Sequence, residues 1–568
     1  MKVSDYIVEY LINKGITDVF GYPGGMVTHL MDSFSKYENK IKAHVNYHEQ
    51  ASAFAACGYA QVSGKVGVAY ATSGPGATNL ITGICNAYFD SIPCLFITGQ
   101  VNTFEAKGSY KVRQRGFQET DIINMVKGVT KYSAYIESAE KIKYYLDRAF
   151  AEACSNRPGP VLLDIPMNIF RSYICPEKLI GFKDNINDEY SKYDIESILV
   201  KALENSRRPC FLVGNGIKVS RNQSKLRSII KNLKLPVLSS MVAFDLLNKS
   251  KWNFGFIGSY GNREANFIAA KSDLIVCIGS RLDIRQVGIN RENFAPNAQI
   301  LRFDIDEGEF SYNLHKDDIT IKSDIKTILN ILSKTSYNKK YDDWRDVCIA
   351  IRNELHDIDD SESNRIVNKL SYMIPENAII TTDVGQNQVW VAQSFNLKNE
   401  QEVLFSGGHG AMGYSLPAAI GAYYANRNKI IVSINGDGGI QMNIQELQFI
   451  VREQIPIKIV VLNNNSLGMI RHFQEMYFSS NYFQTKPEGG YTAPNISAIA
   501  NAYGIRSICI NDIDLITDNS IFIDRKPILI EVLIDKNTYV FPKLEFGKPN
   551  QDQEPLIDRD KFERLMNL

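Results

Sequence analysis

Asp437 stands between two glycines just past one apolar run, and Asn464 stands just past the next. Lys429 to Ile434 leads into Asn435-Gly436-Asp437-Gly438-Gly439, and Ile457–Leu462 leads into Asn463-Asn464-Asn465. A carboxylate and an amide oxygen are hard donors. Mg2+ takes such oxygens in an octahedron and keeps water or phosphate as further ligands. Glycines beside Asp437 let the backbone approach a phosphate closely, and a helix start beyond them supplies N–H groups and a positive dipole end. The chemistry open to these residues is to clamp a diphosphate through one Mg2+. Gly-Asp-Gly alone is equally an ordinary tight turn; its pairing with an Asn-Asn loop one strand–helix–strand unit later carries the metal reading.

The two donors meet only if the chain between them crosses over. Asn443, with Glu446 at the third position after it, predicts a capping-box start to a helix over about Gln445–Arg452, and Pro456 ends the pattern. A right-handed crossover then brings both strand ends to one edge of a parallel sheet, where open α/β sheets bind ligands. The same alternation runs from the N-terminus. Ser4 caps an amphipathic helix to Lys14, and Asp18–Phe20 is a strand entering Gly21-Tyr22-Pro23-Gly24-Gly25. Lys42–Asn46, Val66–Tyr70 and Cys94–Thr98 read as further strands; a helix opens at His48-Glu49-Gln50, and Thr72-Ser73-Gly74-Pro75-Gly76 precedes another.

A chain of 568 residues suggests three to four domains at about 150 residues each. The predicted fold class is α/β, with three doubly wound parallel-sheet domains over 1–171, 190–333 and 344–546. Polar stretches at Lys183–Lys201 and Lys334–Asp343 read as linkers, and the polar tail 547–568 as a surface arm or lid. An apolar content of 44% supports full cores, and 63 basic residues cancel 63 acidic ones, which gives no support to nucleic acid or an acidic membrane as partner. Asp5 and Glu9 interrupt the first apolar pattern, so no signal peptide is predicted, and no run reaches the roughly 18 apolar residues of a membrane span. Nine cysteines without CxxC spacing read as buried small hydrophobes in a reducing, cytoplasmic setting.

The diphosphate stretch resembles the signature of the thiamine-diphosphate-dependent enzymes, and Asn463-Asn464-Asn465-Ser466-Leu467-Gly468-Met469 onward is similar to its acetolactate synthase form. The resemblance extends from Phe20–Gly25 to about Lys543. It implies a pyrimidine-binding, a central and a diphosphate-binding domain. It also implies Mg2+ on Asp437, Asn464 and the backbone carbonyl of Ser466, with Gly24, Gly25, Gln386, Gly436, Gly438 and Met469 around thiamine diphosphate (ThDP). Glu49 reads on residue type as a helix-start dipole partner; the resemblance makes it the glutamate that activates the cofactor. Met412 reads as core filler; the resemblance makes it the wedge that bends the cofactor. Gln118 and Phe117 match residues lining the pocket of the intermediate, and Arg285 matches an arginine aimed at the acceptor carboxylate.

In the central domain, Gly214-Asn215-Gly216, Arg281 after the strand Leu274–Ile278, and Asp304 at the next strand end resemble an FAD site, with Arg157 as a further contact; the alternative is a central domain that has lost its nucleotide. Beside the cofactor residues, Asn387 replaces a histidine and His409 a leucine; on the acceptor side, Ile284 replaces an acid and Phe473 the tryptophan that selects the second 2-keto acid. Three readings follow: pyruvate decarboxylation with acetolactate formation, transfer of the two-carbon unit to another carbonyl such as a keto-sugar nucleotide, or an inactive homologue in a complex. The resemblance also implies a homodimer or homotetramer with the site shared between subunits.

Overall fold

The computed structural model describes residues 1–183, 194–247, 250–335 and 340–568. Three six-stranded sheets organise it, and every pairing within them is parallel. The first holds β1 (Asp18–Gly21), β2 (Lys42–Val45), β3 (Gly67–Ala71), β4 (Cys94–Gln100), β5 (Tyr132–Tyr135) and β6 (Pro160–Pro166) in the order β2-β1-β3-β4-β6-β5. The second holds β7 (Pro209–Val213), β8 (Val237–Ser239), β9 (Asn253–Phe256), β10 (Leu274–Ile278), β11 (Gln299–Asp304) and β12 (Ile319–Lys322) as β12-β11-β10-β7-β8-β9. The third holds β13 (Ala378–Thr382), β14 (Glu402–Leu404), β15 (Ile430–Gly436), β16 (Lys458–Asn463), β17 (Arg506–Ile510) and β18 (Ile528–Leu533) as β14-β13-β15-β16-β18-β17. The three doubly wound α/β domains expected from the alternation are therefore present.

Helices cover both faces of each sheet, so central strands such as β4 and β16 are buried along their whole length and carry the apolar runs Cys94–Ile97 and Ile459–Leu462. The order reverses between β1 and β3, between β7 and β10, and between β13 and β15. Those three switch points are where loops diverge and a crevice opens at the strand C-termini.

The first and third domains share one core, in which Phe54, Ala55 and Tyr59 pack with Tyr414, Ala418 and Ile431. The helices Glu49–Ser63 and Ser415–Ala425 cross so closely that a Cβ on Gly58 would overlap the Ala418 carbonyl, and one on Gly421 the Ala55 carbonyl. Any side chain at either glycine would push the helices apart. This contact fixes Glu49, at the start of one helix, relative to the loop that begins the other.

Several expectations change. The first helix is Val3–Asn13 with Lys2 at its N-cap; Ser4 lies inside it, buried, and accepts a hydrogen bond from Ser33 Oγ (2.8 Å). Asn443 and Glu446 form no capping box. The helix is Glu446–Glu453 without a side-chain cap, Asn443 donates to Gly413 O (2.9 Å), and Glu446 accepts from Asn46 Nδ2 (2.9 Å) and Tyr47 N (2.7 Å) in the first domain. Trp344 belongs to the central core, not to the third domain. It opens on the helix Asp342–Leu355, donates from Nε1 to Pro209 O (3.0 Å), and packs there with Cys348, Ile351 and Leu355.

The tail is no free arm. Arg263 donates to the carbonyls of Gln553 (3.0 Å) and Pro555 (2.6 Å), and the helix Arg559–Asn567 buries Leu565 in the central core. Cys57, Cys94, Cys210, Cys277 and Cys348 are buried as expected, whereas Cys154, Cys175 and Cys509 are exposed. The expected linkers fall partly on 184–193 and 336–339, outside the described residues. Among the described residues no helix is long and apolar enough to cross a membrane.

Candidate active site

The strand ends of β15 and β16 deliver the two predicted oxygen donors to one crevice. Gly436 closes β15 and Asp437 opens a short helix, buried at 3% exposure. Asp437 Oδ2 accepts from Ser466 N (3.2 Å) and from the Tyr491 hydroxyl (3.0 Å), so the loop after β16 is bonded to the carboxylate after β15. Asn464 donates from Nδ2 to Gln386 Oε1 (2.9 Å), so its amide oxygen is the atom that could face a cation. The Ser466 carbonyl accepts from Gly468 N (2.9 Å), one bond for an oxygen with two lone pairs. Burial pushes the Asp437 carboxyl up to about 6, against the lowering effect of its hydrogen bonds.

One carboxylate, one amide oxygen and one peptide oxygen fit a hard divalent cation that shares its shell with a diphosphate and water. Among the described residues no group of three or more His, Cys, Asp or Glu could hold a metal.

Met412 lies across this crevice, its Cε 3.2 Å from where a Cβ on Gly438 would sit. The device that holds it is a residue to which the sequence assigned no role. Asp383, at the end of β13, accepts from Gly413 N (2.9 Å to Oδ1, 3.1 Å to Oδ2), Val384 N (2.7 Å) and Ser415 N (3.4 Å). It is fully buried, and burial lifts its carboxyl to about 7. Asp383→Ala should strand these three N–H groups and release the Met412 loop. The expected cost is about 2–4 kcal/mol, read as a fall in melting temperature together with weaker ThDP binding; an unchanged melting temperature counts against this role.

Gln386 reaches the same crevice and also donates to Thr538 O (3.1 Å). Asn387 donates to Asp383 O (2.7 Å), a structural bond. Met469 packs on the third-domain core, one turn before Phe473 on the helix Gly468–Tyr477. His409 stacks on Phe89 (5.8 Å between centroids).

Glu49 opens the helix Glu49–Ser63, where His48 Nδ1 accepts from Gln50 N (3.0 Å). Glu49 is 8% exposed, and its carboxylate accepts from Asn79 Nδ2 (3.0 Å). Gln118 adopts φ 63° and lies 2.9 Å from where a Cβ on Gly74 would sit, so the Gly74 loop and the Gln118 turn need each other. Phe117 beside it is 79% exposed. Gly24 packs against Thr72 at the first switch point; Gly25 opens the turn Gly25–Val27, and Met26 N donates to Thr72 Oγ1 (3.2 Å). The structure thus assembles two half-sites. Gln386, Met412, Asp437, Asn464 and Ser466 form one, and Gly24, Glu49, Gly74 and Gln118 the other.

A cavity of about 430 Å3 opens at the switch point of the second sheet and is walled by all three domains, including Asp90, Arg157, Gly216, Arg281, Asp304 and Gly408. Gly214 is not in its wall; it packs so tightly on Gly279 that a Cβ would overlap the Gly279 carbonyl. Arg157 is already paired, to Asp306 (3.0 Å), Glu309 (2.6 Å) and Ser91 Oγ (2.8 Å). Asp90, which the sequence did not mark, accepts from Gly407 N (3.0 Å) and Gly408 N (2.7 Å) and so ties the first domain to the third. Ser240 Oγ in the wall is buried without a hydrogen-bond partner among the described residues.

Three domain families match the chain in this order: the thiamine pyrophosphate enzyme N-terminal TPP binding domain over residues 1–125, its central domain over 197–332, and its C-terminal TPP binding domain over 383–532. The chain belongs to the thiamine pyrophosphate enzymes. It is 34% identical to the acetolactate synthase large subunit of Lactococcus lactis over 99% of this chain and 98% of that one. It is 33% identical to the acetolactate synthase isozyme 2 large subunit of Escherichia coli over 97% and 99% respectively. The tobacco chloroplastic acetolactate synthase 1 is 32% identical over 97% of this chain and 84% of its own length. In this thiamine pyrophosphate enzyme, Asp437, Asn464 and Ser466 lie within the third matched domain and Glu49 within the first.

Proposed function

We propose that this enzyme is a ThDP- and Mg2+-dependent carboligase that decarboxylates a 2-keto acid, foremost pyruvate, and joins the two-carbon unit to a second carbonyl, with acetolactate the leading product. The observation that carries the reading is the bond from Ser466 N to Asp437, which joins the Asn464–Ser466 loop to the carboxylate at the β15–β16 edge, with Met412 and Gln386 beside it. The relatives named acetolactate synthase support the choice of reaction. ThDP, when bound, supplies the electron sink that lets CO2 leave a keto acid. The chain's own residues orient and protect: Asp437, Asn464 and Ser466 hold Mg2+ and through it the diphosphate, and Met412 and Gln386 shape the cofactor's seat. Glu49 holds a proton for the cofactor's aminopyrimidine ring, and Gln118 and Phe117 line the donor pocket.

FAD fits the central cavity: a strand-end acid, Asp304, a glycine turn at a switch point, and an unpartnered Ser240 hydroxyl are present, with Arg157 and Arg281 in the wall. The smallest active unit is a homodimer in which one subunit's Glu49 serves the other's metal site; the exposed Phe117 supports burial of that face by a second copy. Transfer to another acceptor is a second reading, favoured by Ile284, an exposed apolar residue where the acetolactate synthase pattern has an acid. Incubation of the purified protein with pyruvate, ThDP, Mg2+ and FAD, with products resolved in the presence and absence of other carbonyl acceptors, separates the two. Acetolactate with equimolar CO2 is the expected result. Absence of CO2 release overturns both readings.

A further inference from the structure

Lys543 holds an ammonium group that is buried and has no hydrogen-bond partner among the described residues. The residue cannot swing away easily. Its backbone pairs with Glu554 in an antiparallel bridge (2.8 Å in each direction), and Leu544 N beside it donates to Ser259 O in the central domain (2.7 Å). The Nζ lies 5.9 Å from the centre of the Phe473 ring. An aromatic face offsets little of the cost of removing an ammonium from water, so this arrangement destabilises the empty protein. Burial accordingly draws the Lys543 ammonium down to about 8, and its charge adds to the depression of His472. Folds retain such uncompensated groups where a ligand completes them.

The surroundings say what kind of ligand. Phe473 packs with Tyr477 (4.8 Å between centroids) and Phe546 (5.8 Å), and Phe546 N donates to the Tyr477 hydroxyl (3.1 Å), which gives one aromatic wall. From the central domain, Tyr260 packs against the third-domain core that also takes Met469, one turn from Phe473. Ser259 links the two cationic segments: its N–H donates to Arg285 O (2.9 Å) and its carbonyl accepts from Leu544. Lys543 therefore lies over the ring of Phe473, and the Ser259 backbone ties its segment to that of Arg285 in the wall of the central cavity. On the carboligase reading above, we infer that Lys543 binds an anionic oxygen of the acceptor substrate, a carboxylate or a phosphate, against the Phe473 ring and so selects charged acceptors over neutral ones.

The test compares the parent with Lys543→Met, which keeps the side-chain length, and Lys543→Arg, which keeps the charge. All three carry ThDP, Mg2+ and FAD, with pyruvate as donor. The acceptors are 2-ketobutyrate, glyceraldehyde 3-phosphate and neutral propanal. One charge-assisted hydrogen bond lost should lower kcat/KM for the anionic acceptor relative to propanal at least about tenfold in Lys543→Met, with partial recovery in Lys543→Arg. Which anion loses more identifies carboxylate or phosphate. An unchanged ratio, or equal loss for charged and neutral acceptors, overturns the inference.

Thermal melting gives a readout that needs no turnover. Without acceptor, Lys543→Met should melt above the parent, because an uncompensated buried charge is gone; 2-ketobutyrate or glyceraldehyde 3-phosphate should raise the melting temperature of the parent and not of the variant. A variant that melts below the parent, or that responds equally to the anions, also overturns the inference. Should the parent release no CO2 from pyruvate, the carboligase reading fails, and the melting series still decides whether Lys543 takes an anion.

Discussion

Glu49→Gln is expected to keep the fold and the affinity for ThDP while turnover drops by more than the roughly 10²–10⁴-fold usual for loss of an acid–base group. The residue is small in structural cost. It sits at a helix start, where removing the negative charge costs about 0.3–1 kcal/mol through the dipole. An amide oxygen can still accept the bond from Asn79 Nδ2 that the carboxylate accepts at 3.0 Å. What the amide cannot do is hold a proton for the cofactor's aminopyrimidine ring. Isothermal titration with ThDP and Mg2+ should therefore give nearly the same affinity for parent and variant, while hydrogen–deuterium exchange at the thiazolium carbon slows with turnover. Exchange as fast in the variant as in the parent would remove this role from Glu49.

The two half-sites were legible to different depths. Asp437 and Asn464 could be paired from the sequence because one local unit, strand–helix–strand, dictates where both strand ends go; handedness and the buried strand pattern leave no other arrangement. The partners that fix them were not legible. Tyr491 reaches Asp437 from a loop after the strand–helix–strand unit, and Asp383 holds the Met412 loop from a strand end outside it. Neither contact leaves a periodic trace, since nothing in spacing or composition says which distant carboxylate a loop N–H will meet.

Asn443 and Glu446 show the same limit in sharper form. Their spacing satisfies a capping box, yet Glu446 spends its oxygens on Asn46 and Tyr47, so local rules named the residues and tertiary packing chose their partners. The helix Asp342–Leu355 was placed on the wrong side of a boundary for a related reason. An amphipathic stripe predicts that a helix will bury one face and is silent about whose core receives it. The glycines at 58 and 421 carried no signal of their own, because only the crossing of two helices distant in sequence makes a missing Cβ necessary.

Asp437→Ala should abolish the stabilisation that ThDP and Mg2+ give to the protein while leaving the cofactor-free protein folded. Residues that merely support a metal ligand typically cost about 10–100-fold in metal affinity when removed, and Asp437 is proposed as the sole carboxylate among three oxygen donors. Loss above about 100-fold, or more than about 2.7 kcal/mol, is expected for the metal and with it for the diphosphate it bridges. Ligand that saturates the parent at about 100 times its Kd raises stability by about 2.7 kcal/mol, so the same mixture should shift the melting temperature of the parent by several degrees and that of the variant by almost none. The cofactor-free variant should hold its fold because burial already pushes the Asp437 carboxyl up to about 6, a sign that a buried charge is costly there without a cation. Two bonds are lost in exchange, from Ser466 N and the Tyr491 hydroxyl, and the tyrosine can turn toward Gln441, whose Nε2 already lies 3.5 Å away. A variant that still gains the full thermal shift from ThDP and Mg2+ would mean that the metal is held elsewhere, and the β15–β16 edge would lose its place as the diphosphate site.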